Sequence, residues 1–244
     1  MLKQRIITGI ILVVLALSAL FLLSPAMFCI AFALVALAAS WEWTNLMGLK
    51  QLAPRFLYVL IMSGMLFNSI FLSIQAVLLF GCAWWLIALV LVLRFKGEST
   101  KLTKSVFMRG VIGVLTIVPC WRAILYLRNN FNDGPLIVLF LFAIIWGADI
   151  VAYFAGKRFG KTKLAPLVSP GKSVQGALAA IIYSTILTLV VLLSSEIPTS
   201  EWIYYLILAI VTAIFSIVGD LSESLFKRQV GIKDSGKFLP GHGG

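Results

Sequence analysis

Apolar residues run along this chain in eight long blocks, separated by short polar punctuation. A helix needs about 20 apolar residues to cross the hydrocarbon core of a bilayer. The blocks predict spans over Ile6–Leu23, Ala26–Trp41, Phe56–Leu72, Ala76–Leu93, Val111–Leu127, Leu136–Ala155, Ala177–Leu193 and Trp202–Gly219. Pro25 separates the first two, and Pro54 precedes the third. Only Ser73, Ile74 and Gln75 divide the third from the fourth, which predicts a tight turn. The second block is short, so a tilted or partly interfacial segment is expected there. No soluble domain fits between the blocks, and no repeat is visible. The pattern predicts an all-α fold, a polytopic integral membrane bundle of about eight transmembrane helices.

Composition strengthens that reading. Of 244 residues, 61% are hydrophobic and 12% charged, against about 45–50% and about 25% in soluble domains. A chain this apolar has too little polar surface to face water. The first block follows Lys3 and Arg5 like a signal peptide, but no small-residue cleavage site follows it, so a retained helix is expected. Cys29, Cys82 and Cys120 sit inside apolar runs without C-x-x-C spacing. They are read as small buried hydrophobes. Trp41, Trp43, Trp202 and Tyr204 fall near span ends and read as interfacial anchors.

The net charge of +11 reads as topology and anionic partners, lipid headgroups or phosphates. With the N-terminus in the cytoplasm, alternating spans put 18 of the 20 Lys and Arg on the cytoplasmic side. Only Arg122 and Arg128 fall near the outer face. The two longest polar stretches, 156–176 and 220–244, then share the cytoplasmic side and flank the last two spans, so they can meet. Residues 1–135 read as a scaffold of about five helices, and 136–244 as the catalytic part.

Following the eighth block out of the membrane, Asp220, Glu223, Ser224 and Lys227 are spaced i, i+3, i+4, i+7. A continuing helix puts them on one face. Two carboxylates, a hydroxyl and an ammonium suit Mg²⁺ and phosphate, or a solvated helix end with salt bridges. Lys227 and Arg228 can neutralise phosphate oxygens. Lys233, Asp234, Ser235 and Lys237 form a second polar group, followed by the glycine-rich ending. Asp149 lies within the sixth block, where an acid is costly and is expected to face a polar cavity or pair with a base. The 156–176 loop resembles a P-loop, but it has three residues between its glycines instead of four and no preceding strand. It reads instead as a flexible cationic loop able to hold a triphosphate or an acidic headgroup. His242 is the only histidine, and spacing gives no reason to make it a base.

At these residues the chain resembles the phosphatidate cytidylyltransferase family, also called CDP-diacylglycerol synthases, of the bacterial type. The run S-L-F-K-R-(four)-K-D-S-G-(two)-L-P-G-H-G-G from Ser224 to Gly244 looks like that family's signature. So do W-G-A-D at Trp146–Asp149, the G-K-x-F-G-K loop, and S-P-G-K-S at Ser169–Ser173. Ser173 stands where Thr is common, and Gln175 where many members have Glu. The resemblance implies that CTP and phosphatidate give CDP-diacylglycerol and pyrophosphate in a cell inner membrane, with the active site cytoplasmic. It implies Mg²⁺, alone or with a second cation, held by Asp220, with Glu223 and Asp234 as direct or outer partners. It assigns Lys227, Arg228 and Lys233 to phosphates. Ser169, Lys172, Ser173, Ser224 and His242 are assigned to nucleotide or lipid. Partners would be CTP, phosphatidate and the bilayer, with no nucleic acid. A homodimer is compatible with this, though no sequence feature fixes the oligomeric state.

The family signature continues past His-Gly-Gly through an apolar pair into Asp-Arg-x-Asp, whereas this sequence ends at Gly244. On the resemblance, the chain as given is expected to bind metal weakly and to be inactive. Alternatives are a CTP-dependent polyprenol kinase-like enzyme, a transporter using Asp149 as coupling residue, and a non-catalytic lipid-binding subunit. Polarity gathered at one membrane face, without internal repeats, disfavours the transporter.

Overall fold

The computed structural model describes residues 2–95, 97 and 101–236. Nine helices and one short hairpin occur among them: α1 (Leu2–Leu22), α2 (Pro25–Met47), α3 (Leu52–Ser69), α4 (Ile74–Leu93), α5 (Lys101–Lys104), α6 (Val106–Asn129), α7 (Gly134–Phe159), β1 (Lys163–Ala165), β2 (Ser169–Ser173), α8 (Val174–Leu193) and α9 (Trp202–Gln229). Seven helices are long and apolar enough to cross a membrane, and the apolar part of α1, Ile7–Leu22, is shorter. Every predicted span overlaps a helix, though the third runs three residues past the end of α3 at Ser69. Large apolar side chains such as Leu34, Leu60, Phe80 and Ile182 face outward, as a lipid solvent requires and water would forbid.

The second span is not short. α2 runs six residues past Trp41 to Met47, because a helix does not end where its apolar residues do. It starts at Ser24, whose hydroxyl accepts from Met27 N at 3.4 Å, with Pro25 at the first position. It ends at Gly48, whose φ of +83° is the left-handed conformation glycine adopts without steric cost.

The described residues fall into two compact units. One is drawn from Met1–Ile87, Glu98–Leu139 and Phe226–Gly244, the other from Ala88–Gly97 and Phe140–Leu225. In the first unit α2, α3 and α6 pack together around polar contacts at one end. Trp43 Nε1 donates to the Arg109 carbonyl at 2.9 Å, and the Tyr58 hydroxyl donates to the Gly110 carbonyl at 3.0 Å. A Cβ on Gly113 would run into both rings. Trp43 is therefore a packing residue within the bundle, not a simple interfacial anchor.

Two arginines finish helices in this unit. Buried Arg109 donates from Nε to the Thr103 carbonyl at 2.6 Å and from Nη1 to the Met47 carbonyl at 3.4 Å. Arg128 donates from Nη2 to the Leu23 carbonyl at 2.6 Å, just past the end of α1. The last carbonyls of a helix lack intrahelical partners, and a cation there also meets the negative end of the helix dipole. Arg128 thus has a structural use at a helix end, independent of membrane topology. Arg109→Met is expected to lower stability by about 1–3 kcal/mol, since it orphans buried carbonyls. The check is the unfolding midpoint in detergent, with activity per folded molecule unchanged.

In the second unit α7 and α8 approach closely. A Cβ on Gly147 would overlap the Tyr183 ring, and one on Gly176 would come within 2.7 Å of the Ala152 carbonyl. Small residues let helix backbones meet in a membrane, where there is little hydrophobic drive between helices. Gly147 thus serves helix packing. The loop between α7 and α8, expected to be flexible and cationic, instead holds an antiparallel β1–β2 hairpin, with Lys163 opposite Ser173 and Ala165 opposite Ser169. The cysteines also differ from expectation. All three are free, Cys29 partly exposed, Cys82 and Cys120 exposed, on apolar helices whose outward faces meet lipid.

Candidate active site

The site is built on the ends of α7 and α8, the hairpin and α9. Helix α9 continues unbroken through Gln229, so Asp220, Glu223, Ser224 and Lys227 do recur at one-turn spacing along it. Asp220 and Glu223 lie in the second unit with Ser224; Lys227, Arg228, Lys233 and Asp234 lie in the first.

The hairpin delivers the partner of Asp220. Lys172 on β2 donates from Nζ to Asp220 Oδ2 at 2.5 Å, across 48 residues of sequence. This joins the two polar stretches within the second unit. The lysine side chain is 27% exposed and the carboxylate 52%, so both groups remain open to an incoming ligand. Asp149 on α7 lies within Coulombic reach of both Asp220 and Lys172. The Lys172 ammonium is thus paired with Asp220, with Asp149 a second carboxylate in its electrostatic neighbourhood.

Four hydrogen bonds hold the hairpin in place. Ser173 is buried, and its hydroxyl accepts from Gly176 N at 3.2 Å as the N-cap of α8. Gln175 Oε1 accepts from the backbone N–H of Lys161 at 3.1 Å and of Thr162 at 3.2 Å. Val174 N donates to the Thr162 carbonyl at 2.9 Å. Ser173 therefore serves the site by setting where β2 ends and α8 begins. A glutamate carboxylate oxygen at this position would accept the same two donors. Gln175→Ala is expected to free both N–H groups, loosen the hairpin and raise protease cleavage near Lys161 by several-fold, while Gln175→Glu leaves it protected.

A metal fits this donor set in one particular way. Mg²⁺ keeps several waters and binds through one or two carboxylates plus substrate phosphates. Asp149 and Asp220 offer two carboxylates. Among the described residues no group of three or more His, Cys, Asp or Glu side chains gathers. Such a pair suits a cation completed by water and substrate phosphates. Glu223 is half-buried one turn beyond Asp220 and does not complete such a trio with them.

In the first unit a separate polar cavity of about 670 Å³ is lined by Glu42, Asn45, Lys50, Arg55, Asp234 and Ser235, among others. Asn45 Nδ2 donates to the Ser235 carbonyl at 2.6 Å, and the Arg55 guanidinium lies 4.2 Å over the Trp41 ring. Asp234 is exposed there, as is Lys233 beside it, and Ser169 is half-buried at the start of β2. Ser224 and Lys227 are half-buried on α9, and Arg228 is exposed. His242, Lys237 and the glycine-rich ending lie outside the described residues. The Lys172–Asp220 pair and the Gln175 clamp were beyond local spacing. Asp149 was visible as a costly intramembrane acid but not as a neighbour of Asp220.

The sequence matches a family model described as the cytidylyltransferase family over residues 3–244. It is 41% identical to the phosphatidate cytidylyltransferase of Pseudomonas aeruginosa, across all of this chain and 90% of that protein. It is 34% identical to the phosphatidate cytidylyltransferase of Haemophilus influenzae, across all of this chain and 92% of that protein. Against the enzyme of that name from Bacillus subtilis the identity is 31%, across 99% of this chain and 90% of the relative.

Proposed function

This chain belongs to the cytidylyltransferase family, and from that premise we propose that it transfers the cytidylyl group of CTP to phosphatidate, yielding CDP-diacylglycerol and pyrophosphate. The observation that carries the reading is similarity along the entire chain to phosphatidate cytidylyltransferases from three bacteria. The membrane-spanning helices agree with a lipid substrate.

The chemistry asks little of the protein in the way of a nucleophile. A phosphatidate phosphate oxygen attacks the α-phosphorus of CTP. The bond from that phosphorus to the oxygen bridging to the β-phosphorus breaks, and pyrophosphate leaves. No proton must first be removed and no covalent enzyme intermediate is needed. The work is positioning and charge stabilisation.

Lys172 brings a cation with three donors to the place where phosphates gather. Asp220 holds that ammonium in position, and Asp149 keeps the local field from becoming wholly cationic. Asp220 and Asp149 would hold Mg²⁺, and when bound it would stabilise charge on the transferring and leaving phosphates. Ser224, Lys227, Arg228, Lys233 and Asp234 remain candidates for phosphate and outer-shell contacts, as does Glu223. The N-terminus and the polar helix ends would face the cytoplasm of a bacterial inner membrane, where CTP is present, on the strength of the basic-residue bias. A homodimer is the simplest assembly to look for.

The test follows the products. With radiolabelled CTP and phosphatidate in detergent, one pyrophosphate should appear for each CDP-lipid formed. Release of CDP with a phosphorylated lipid would instead favour the kinase-like alternative.

A further inference from the structure

The polar end of α2 grips the segment that follows α9, within the first unit. Helix α9 stops at Gly231, whose φ is +71°. Gly231 N donates to the Arg228 carbonyl at 3.2 Å and Ile232 N to the Lys227 carbonyl at 3.0 Å, the paired bonds of a glycine helix stop. Residues 233–236 then belong to no helix or strand. Contacts from α2 hold them. Asn45 Nδ2 donates to the Ser235 carbonyl at 2.6 Å, across 190 residues of sequence. A Cβ on Gly236 would overlap the Glu42 carboxylate, so the backbone there rests directly on that side chain. Just before the stop, the Phe226 ring packs 5.7 Å from Trp43. Ser235 is buried, whereas Lys233 and Asp234 beside it are exposed.

The gripping end of α2 is itself fixed. Arg55 donates from Nε to Thr44 Oγ1 at 2.7 Å and from Nη2 to the Trp41 carbonyl at 3.3 Å. Trp43 is tied to α6 through the Arg109 carbonyl. We propose that Asn45 and Glu42 are positioning residues for the reaction: they lock the backbone of residues 233–236 and so fix where the Lys233 ammonium and the Asp234 carboxylate stand. The proposal rests on the phosphatidate reading, in which Lys233 and Asp234 are candidates for phosphate and outer-shell contacts. It adds that α2, within the part of the chain expected to be scaffold, helps to build the site. The grip falls on the backbone and on Ser235, not on the two charges. Both charged side chains therefore stay open to a ligand, and Asp234 opens on the 670 Å³ cavity. Functional side chains need such support, because a group left loose by about 1 Å loses much of its effect.

Asn45→Asp keeps the shape but sets an acceptor against the Ser235 carbonyl. It should lower kcat for CDP-lipid formation by about 10–10²-fold, with the unfolding midpoint in detergent nearly unmoved. Asn45→Gln, which keeps the amide donor, should recover much of the activity. Hydrogen exchange of residues 230–236 should quicken several-fold in Asn45→Asp while α3 and α6 stay protected. A second route reaches the same contact. Gly236→Ala should also slow turnover, because its methyl meets Glu42, and adding Glu42→Ala removes the three nearest atoms in its way. The double variant should then be more active than Gly236→Ala alone, a coupling that independent sites do not show. Normal turnover by folded Asn45→Asp, or unchanged exchange at 230–236, would overturn the proposal. So would losses that track the unfolding midpoint and are recovered by neither Asn45→Gln nor Glu42→Ala. An unsubstituted protein that makes no CDP-lipid would instead contradict the phosphatidate reading, and exchange at 230–236 would still decide the grip.

Discussion

Asp220→Asn should lower CDP-diacylglycerol formation by about 10²–10³-fold, the usual loss when one preorganised electrostatic group is removed from a reaction centre. The substitution keeps shape and hydrogen-bonding capacity but removes the charge. Asp220 is half exposed and paired with a partly exposed lysine. Pairs of that kind contribute about 0–1 kcal/mol to stability, so the unfolding midpoint should hardly move. The loss should be in turnover, and it should not be recovered by raising phosphatidate. If Asp220 also holds a cation, the concentration of Mg²⁺ giving half-maximal activity should rise in Asp220→Glu, which keeps the charge but displaces it. Isothermal titration with Mg²⁺ checks this without turnover.

Lys172→Met should cost nearly as much, about 10²-fold in kcat/KM for phosphatidate. Methionine keeps the length and apolar stem of the side chain, so the hairpin contacts survive while the cation is lost. Lys172→Arg should recover part of the loss, because a guanidinium restores charge but presents a planar fork in place of a compact ammonium. The double variant Lys172→Met with Asp220→Asn should fall far short of the product of the two losses, since groups acting as one unit are not additive. A strictly multiplicative result would mean that the pair seen in the structure does not act together during the reaction.

The membrane fold could be read from the sequence because hydrocarbon thickness dictates the length of an apolar run. The same rule misjudged α2. It marks where lipid ends, and Glu42, Thr44 and Asn45 extend the helix beyond that point until Gly48 stops it. The hairpin was hidden for a different reason. Pro166, Gly171 and the surrounding lysines have the composition of a loop. What orders them is a buried N-cap at Ser173 and a single amide oxygen of Gln175 accepting two distant N–H groups. Periodicity contains no signal for such contacts. Asp149 announced itself by its cost within an apolar helix, whereas its neighbours came from chain folding. Lys172 and Asp220 were each notable in the sequence, but only three-dimensional structure could join residues 48 apart. The arginines show the opposite case. Arg109 looks like a topology signal and Arg128 like an exception to one, yet each satisfies helix-end carbonyls.

The most direct measurement is CTP-dependent conversion of phosphatidate to CDP-diacylglycerol in detergent micelles with Mg²⁺. It would be run side by side for the protein and for its Asp220→Asn variant. Robust product from the first, with a loss of at least about 10²-fold in a folded second, is the predicted result. A folded protein that makes no CDP-lipid, or an Asp220→Asn variant that turns over normally, would contradict the account.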